Sequence, residues 1–445
     1  MNKSTLFTNV RILDGTGAAI FAGEVEVEGD RITRVGKSKS KALLGCQIID
    51  GNSATLMPGL CDAHTHFSWN NQASLSEIQF MPPEEHILWC AQIAKQYIDM
   101  GFTSCVGAAA AKPRLDVVIR NAINSGQIPG PRYLANSQEL ATVGGLGDMA
   151  PPHIEHDNLS FGALVSGPEE VRRMVRRFIK YGVDLVKLNL SGEEITGVPS
   201  AATVMSEEEC AMAATEAHRR GLRLCAHARS AESVKMCVRN GIEIIYHASF
   251  IDDEALTMLA KRKEHHFVAP GLAWLICTAR EAAAWGISPG SALANAYEVE
   301  LAAAIVGLKK MHKKGIRILP GGDYGFAWTP HGRNAKDLQY FVDLIGMRPM
   351  EAILSATKLG GEIMGKPDEL GLIRPGYLAD LILVDGDPVK DITILQAREK
   401  ILAVMKGGEF YRGLGKFGGE MKSPPPAAMR TPPLKKGERG GLAGR

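Results

Sequence analysis

Two histidines spaced i, i+2 close the run Pro58-Gly59-Leu60-Cys61-Asp62-Ala63-His64-Thr65-His66-Phe67. The apolar lead-in Ala54-Thr55-Leu56-Met57 reads as a strand, and on a strand this spacing points both imidazoles to one face. Neutral imidazoles so placed can chelate a single first-row metal ion such as zinc. His-x-His alone is equally consistent with two histidines that merely end a strand. Further polar groups appear downstream in apolar surroundings. Lys187 lies inside Asp184-Leu185-Val186-Lys187-Leu188-Asn189-Leu190. Burying an ammonium is costly, so this side chain must reach a rim, find a carboxylate or change chemically. His227 follows Arg223-Leu224-Cys225-Ala226, and His247 follows Ile242-Glu243-Ile244-Ile245-Tyr246. Asp323 follows Ile316-Arg317-Ile318-Leu319-Pro320-Gly321-Gly322. Each of these, taken singly, reads as an ordinary core or rim residue. Together they are six candidate ligands at strand ends.

The elements that must position them come in two textures. Residues 5–58 read as short strands with turns. Gly23-Glu24-Val25-Glu26-Val27-Glu28 alternates with period two into Gly29-Asp30, and Arg31-Ile32-Thr33-Arg34-Val35 returns, a hairpin pattern within a half-buried antiparallel sheet. From residue 59, short apolar runs alternate with helical stretches, as parallel strands with crossover helices do. The first strand ends at His64/His66. The others are expected at Thr103–Ala108, Arg132–Gln138, Asp184–Ser191, Arg223–Ala228, Ile242–Ser249, His266–Leu272 and Ile316–Asp323. A helix is expected over Pro168–Ile179, and Ser206-Glu207-Glu208-Glu209 is a capped helix start. Eight strand–helix units fit an α/β fold of (β/α)8 type, in which strand C-terminal ends converge on one functional pocket.

At this point the chain resembles the amidohydrolase superfamily, in its binuclear-metal branch, and is most similar to prolidase-like and imidazolonepropionase-like members. The resemblance runs over residues 5–412 and includes Gly371-Leu372-Ile373-Arg374-Pro375-Gly376-Tyr377-Leu378-Ala379-Asp380-Leu381-Ile382-Leu383-Val384, followed by Asp385-Gly386-Asp387-Pro388. It implies a TIM barrel over 59–366 with a small β-sandwich domain built from 1–58 and 367–413. His64, His66 and Asp323 would hold the more buried of two divalent ions, and His227 and His247 the second. Zinc is the first expectation, with manganese or cobalt as substitutes. Lys187 would be carboxylated by CO2 to a carbamate bridging both ions, which would also resolve its burial. The implied reaction is hydrolysis of an amide-like C–N bond by an activated water, with Asp323 as catalytic base and proton carrier. The metallo-deaminase branch is disfavoured, because the glutamate usual three residues after the strand-five histidine is Ser230 here.

Two departures bear on substrate. Relatives often carry Gly-Gly-His-Gly after strand three, whereas this chain has Gly144-Gly145-Leu146-Gly147-Asp148. Relatives often read His-Ala-Tyr after strand five, whereas this chain has His227-Ala228-Arg229. Both weaken a dipeptidase assignment. Arg229 either binds a substrate carboxylate or oxyanion, or is a rim arginine in an ion pair. Trp69, Trp274, Phe326 and Trp328 fall near strand-end loops as a candidate apolar pocket, and Trp328 and His331 join Arg229 as candidate substrate contacts. The expected substrate is a small molecule of N-acyl amino acid, dipeptide, anilide, urea or carbamate type. The alternatives are a cyclic-amide (imidazolone-type) ring hydrolase, or a non-catalytic structural relative, against which the filled ligand set argues.

Composition sets the remaining bounds. At 445 residues the chain is long enough for a barrel plus an accessory domain, and 45% apolar with 22% charged residues is ordinary for a globular protein. The net charge of +2 implies no nucleic-acid partner, and its basic excess sits at the end: Lys416–Arg445 holds seven Lys/Arg against two Glu. That Pro- and Gly-rich stretch, 414–445, is expected to be disordered. The eight cysteines have no regular spacing, and several lie in apolar runs (Cys105, Cys225), so they read as buried free thiols rather than a disulfide framework. There is no apolar signal core and no run of membrane-spanning length, so a cytoplasmic homo-oligomer without membrane contact is the expectation.

Overall fold

A computed structural model describes residues 4–37, 45–150, 153 and 161–413. The stretch 414–445, expected to be disordered, lies outside the described residues.

The hairpin read from the sequence is present: Phe21–Glu28 runs antiparallel to Arg31–Gly36, with Glu28 opposite Arg31. Ser4–Ile12 pairs with Phe21–Glu28 on one side and with Thr55–Pro58 on the other. Leu381–Val384 then pairs antiparallel with Thr55–Pro58 and leads through Ile401–Lys406 to Glu409–Arg412. The two chain ends therefore share a single eight-stranded sheet. Alternating inward residues give it its own core, including Val25, Ile32, Leu56, Leu383 and Met405.

The rest of the described chain is a parallel α/β arrangement in two arcs. Leu60–Thr65, Phe102–Gly107 and Arg132–Leu134 form one. The other places Gly162–Val165, Asn136–Thr142, Leu185–Asn189, Arg223–Ala228, Ile244–His247, Phe267–Ala269 and Arg317–Ile318 side by side. The third expected strand is thus split at Ala135. The Asn136 side chain spans the break, donating to Gly107 O at 2.7 Å and Ala108 O at 3.0 Å. At the other seam Ala63 N donates to Pro320 O at 2.9 Å. The ladders do not join into one continuous closed sheet.

Several strands are shorter than expected, for local reasons. Phe267–Ala269 stops before Gly271, whose φ of +65° opens the helix Leu272–Arg280. Arg317–Ile318 stops before Pro320, which has no N–H for a ladder. Gly321 then passes so close to the first strand that a Cβ there would lie 2.6 Å from that of His64. The strand Gly162–Val165 has no counterpart among the sequence expectations. The helix Pro168–Tyr181 starts on Pro at its first turn, ends at Gly182 with φ +85°, and buries Val171, Met174, Val175 and Phe178. Glu207–His218 carries the expected capping box between Ser206 and Glu209. Among the described residues the cysteines are free thiols, all but Cys46 buried, and no helix is long and apolar enough to cross a membrane.

Candidate active site

The strand Leu60–Thr65 delivers His64 and His66 to the rim, where both rings are fully buried. Asp62, two residues earlier, accepts from His64 N at 3.0 Å and from Asn334 Nδ2 at 2.9 Å, fixing the backbone beneath the pair. Asp323 arrives from the far side of the seam. Its Oδ1 lies 3.5 Å from His64 Nε2 and 3.2 Å from His66 Nε2. Asp337 supports that approach, accepting from Gly321 N at 3.0 Å and from Tyr324 Oη at 3.2 Å. Asp323 and His247 both adopt positive φ, +63° and +71°. Non-glycine residues rarely do so, and the strain falls where each side chain turns inward.

Ligand atoms of His64, His247 and Asp323 lie within 4.8 Å of one another. His66 stands beside them, stacked on Trp69 with ring centroids 3.3 Å apart. His227 and Lys187 line the same cavity beside them. His227 Nε2 meets Gly192 O at 2.9 Å, with its ring 4.5 Å from that of His247. Lys187 Nζ lies 3.9 Å from Glu139 Oε1 and 4.9 Å from the Tyr246 ring centroid. The structure therefore gathers His247 with His64 and Asp323, while His227 and Lys187 form the adjoining wall.

The donor set fits divalent ions. His64 Nδ1, His66 Nε2, both ring nitrogens of His247 and Asp323 Oδ1 are buried without a hydrogen-bond partner. Orphaned buried groups are costly, and these belong to residues that line or adjoin one cavity. Burial holds His64, His66, His227 and His247 below the usual histidine range, keeping them neutral and able to ligate. Burial opposes ionisation of Asp323, yet His64 and His66 beside it hold its carboxyl well below the usual carboxylate range.

The cavity has Trp69, Phe161, Trp274 and Phe326 as its aromatic wall and Leu75, Leu146 and Ile195 as further apolar lining. Leu146, the departure in the strand-three loop, is part of this lining. None of the three expected substrate contacts, Arg229, Trp328 and His331, lines this cavity. Trp328 stacks behind Phe326 at 5.5 Å and donates to Thr278 Oγ1 at 2.9 Å, bracing the wall from outside. His331 bonds Trp69 O at 2.9 Å and Tyr97 Oη at 3.4 Å, also behind it. The Arg229 guanidinium is fully buried between Glu193 and Glu300, as the ion-pair reading has it. Two charged lining residues escaped the sequence reading: Glu139, a lone carboxylate inside the strand Asn136–Thr142, and Glu193, in Ser191–Glu193. Burial pushes the Glu193 carboxyl up to about 7 despite Arg229, with Glu300 adding to the rise.

A family model described as the amidohydrolase family matches residues 55–411. The chain belongs to this family. The amidohydrolase is 27% identical over 394 residues to an ochratoxinase of Aspergillus niger, covering 83% of this chain and 78% of the relative. It is 24% identical over 409 residues to an imidazolonepropionase of Sphingopyxis alaskensis, covering 86% of this chain and 92% of the relative. Among solved structures it is similar to a prolidase complexed with N-methylphosphonate-L-proline, with a TM-score of 0.83, 25% identity, and coverage of 92% of this chain and 99% of that one. These likenesses give the amidohydrolase an α/β fold with a TIM-barrel domain and support a hydrolytic enzyme acting on amide-type C–N bonds.

Proposed function

We propose that this amidohydrolase is a binuclear metal-dependent hydrolase that cleaves an amide-like C–N bond in a small molecule with an aryl or apolar group. The observation that carries the reading is the cluster of unpartnered buried nitrogens and the Asp323 carboxylate, at one end of an aromatic cavity. His64, His66 and Asp323 would hold one ion, His227 and His247 the other, with Lys187, as its carbamate, between them. Two such ions would supply a Lewis acid for the carbonyl and an activated water as nucleophile.

The chain's own residues do the rest. Trp69, Trp274 and Phe326 take the apolar part of the substrate and exclude water. Asp323 accepts the proton lost by the attacking water at a carboxylate oxygen and returns it to the leaving nitrogen. Asp62 and Asp337 hold the two chain segments that carry His64 and Asp323 in register. In the same reading the two parallel arcs close as a (β/α)8 barrel, with the terminal sheet as its β-sandwich. The ochratoxinase and prolidase names among the relatives point to amide bonds. The apolar lining favours an acyl or aryl amide over a polar imidazolone-type ring.

The test is a screen of metal-loaded protein against N-acyl amino acids, dipeptides, anilides, ureas and carbamates. Amine release from at least one aryl or apolar amide is expected. No release from any of them, with metal bound, would remove the assignment.

A further inference from the structure

Beyond the candidate metal ligands, the ionisable side chains lining the cavity among the described residues are both acids, Glu139 and Glu193. Glu139 is engaged from two sides, by Asn189 Nδ2 at 2.8 Å and by Lys187 at 3.9 Å. Glu193 is held differently. The Arg229 guanidinium donates to its Oε2 and the Tyr297 hydroxyl to its Oε1, both from within the protein. An ionised carboxylate offers about four acceptor sites, so two donors leave about two unused. Arg229 also binds Glu300, whose Oε2 has no partner. Two carboxylates thus share one guanidinium, and the buried cluster carries an excess of negative charge next to the cavity.

The rest of the lining suits the same partner. Trp69, Trp274 and Phe326 offer ring faces, which attract cations through their quadrupoles as well as apolar groups. We propose that Glu193 is the specificity-determining residue of this cavity, accepting an ammonium group carried by the substrate while the aromatic wall holds its apolar body. Its anchors Arg229 and Tyr297 fix the carboxylate before the ligand arrives, which lowers the ordering cost of binding. The amide-hydrolase reading supplies the scissile bond; recognition of the cation stands on the cavity alone.

Calorimetric titration of the full-length, metal-loaded chain separates the two. The probes are 2-phenylethylamine and its neutral counterpart 2-phenylethanol, at about pH 8, above the value near which the Glu193 carboxyl sits. The amine is expected to bind at least ~10-fold more tightly, as a charge-assisted hydrogen bond in a buried site does. Glu193→Gln, nearly isosteric, is expected to remove that preference. Equal affinities for the two probes, or an amine preference that survives in Glu193→Gln, would overturn the inference. Equal affinities on the wild-type chain overturn it even where the variant fails to fold. An intact amine preference with no hydrolysis in the substrate screen would sink the reaction assignment and leave Glu193 in place; hydrolysis with equal affinities would do the reverse.

Discussion

His64 and Asp323 face each other across the seam between the first and last parallel strands, Nε2 to Oδ1 at 3.5 Å. Neither has a protein partner that satisfies it: His64 Nδ1 and Asp323 Oδ1 are buried and unbonded. This pairing exists only because the far end of the chain returns to the first strand, and it makes Asp323 the residue in which architecture and chemistry are most easily separated.

Asp323→Asn tests that separation. Asparagine is nearly isosteric and still offers an oxygen, but it accepts no proton. The variant is expected to fold and to lose ~10² to 10⁴ in rate. Turnover measured beside metal content checks this, and a loss below about tenfold with metal retained would remove Asp323 from proton transfer.

Lys187→Ala is expected to abolish turnover, with partial rescue by added short-chain carboxylates standing in for a bridging carbamate. Mass spectrometry of the intact wild-type chain under CO2-saturated conditions provides an independent readout. Near wild-type turnover in the variant would make the lysine a structural partner of Glu139.

Arg229→Ala leaves Glu193 and Glu300 facing each other without their shared cation. Removing one member of a buried ion cluster typically costs about 3–5 kcal/mol, so a large fall in melting temperature is expected. A change near zero would mean that the cluster relaxes or admits water.

The pH dependence of the metal-free protein has a definite sign. Its buried histidines titrate below their ordinary value of 6.5, so below that value the unfolded chain binds protons that the folded chain refuses. Stability is present above about pH 6.5 and is lost as pH falls from there towards the folded-state values. Thermal melts of chelator-treated protein should show this decline. Melting temperatures independent of pH between about 7 and 5 would contradict the burial of neutral imidazoles.

Much of this architecture was legible because it is written in local patterns. The hairpin Phe21–Glu28/Arg31–Gly36 follows from period-two alternation about Gly29-Asp30, and the start of Glu207–His218 follows from its capping box. His64, His227 and His247 stood out as polar residues ending apolar runs. What escaped depends on contacts distant in sequence. Nothing near Arg229 announces Glu300, which arrives on the helix Ala292–Lys313. Glu193 follows no periodic run and becomes visible only when Ser191–Glu193 bends into the cavity. Trp328 falls near a strand-end loop in the sequence, but its packing on Phe326, like the bond from His331 to Trp69 O, depends on contacts that no local pattern shows. The last strand was overextended because Pro320 and Gly321 serve the approach to His64 rather than a ladder.

The most direct test of the central claim is elemental analysis of active, mildly purified protein, with turnover followed as a chelator removes the metal. About two equivalents of a divalent ion per chain are expected, with activity lost on removal and restored by zinc, manganese or cobalt. Full turnover in protein whose metal content is reproducibly near zero would contradict the binuclear site.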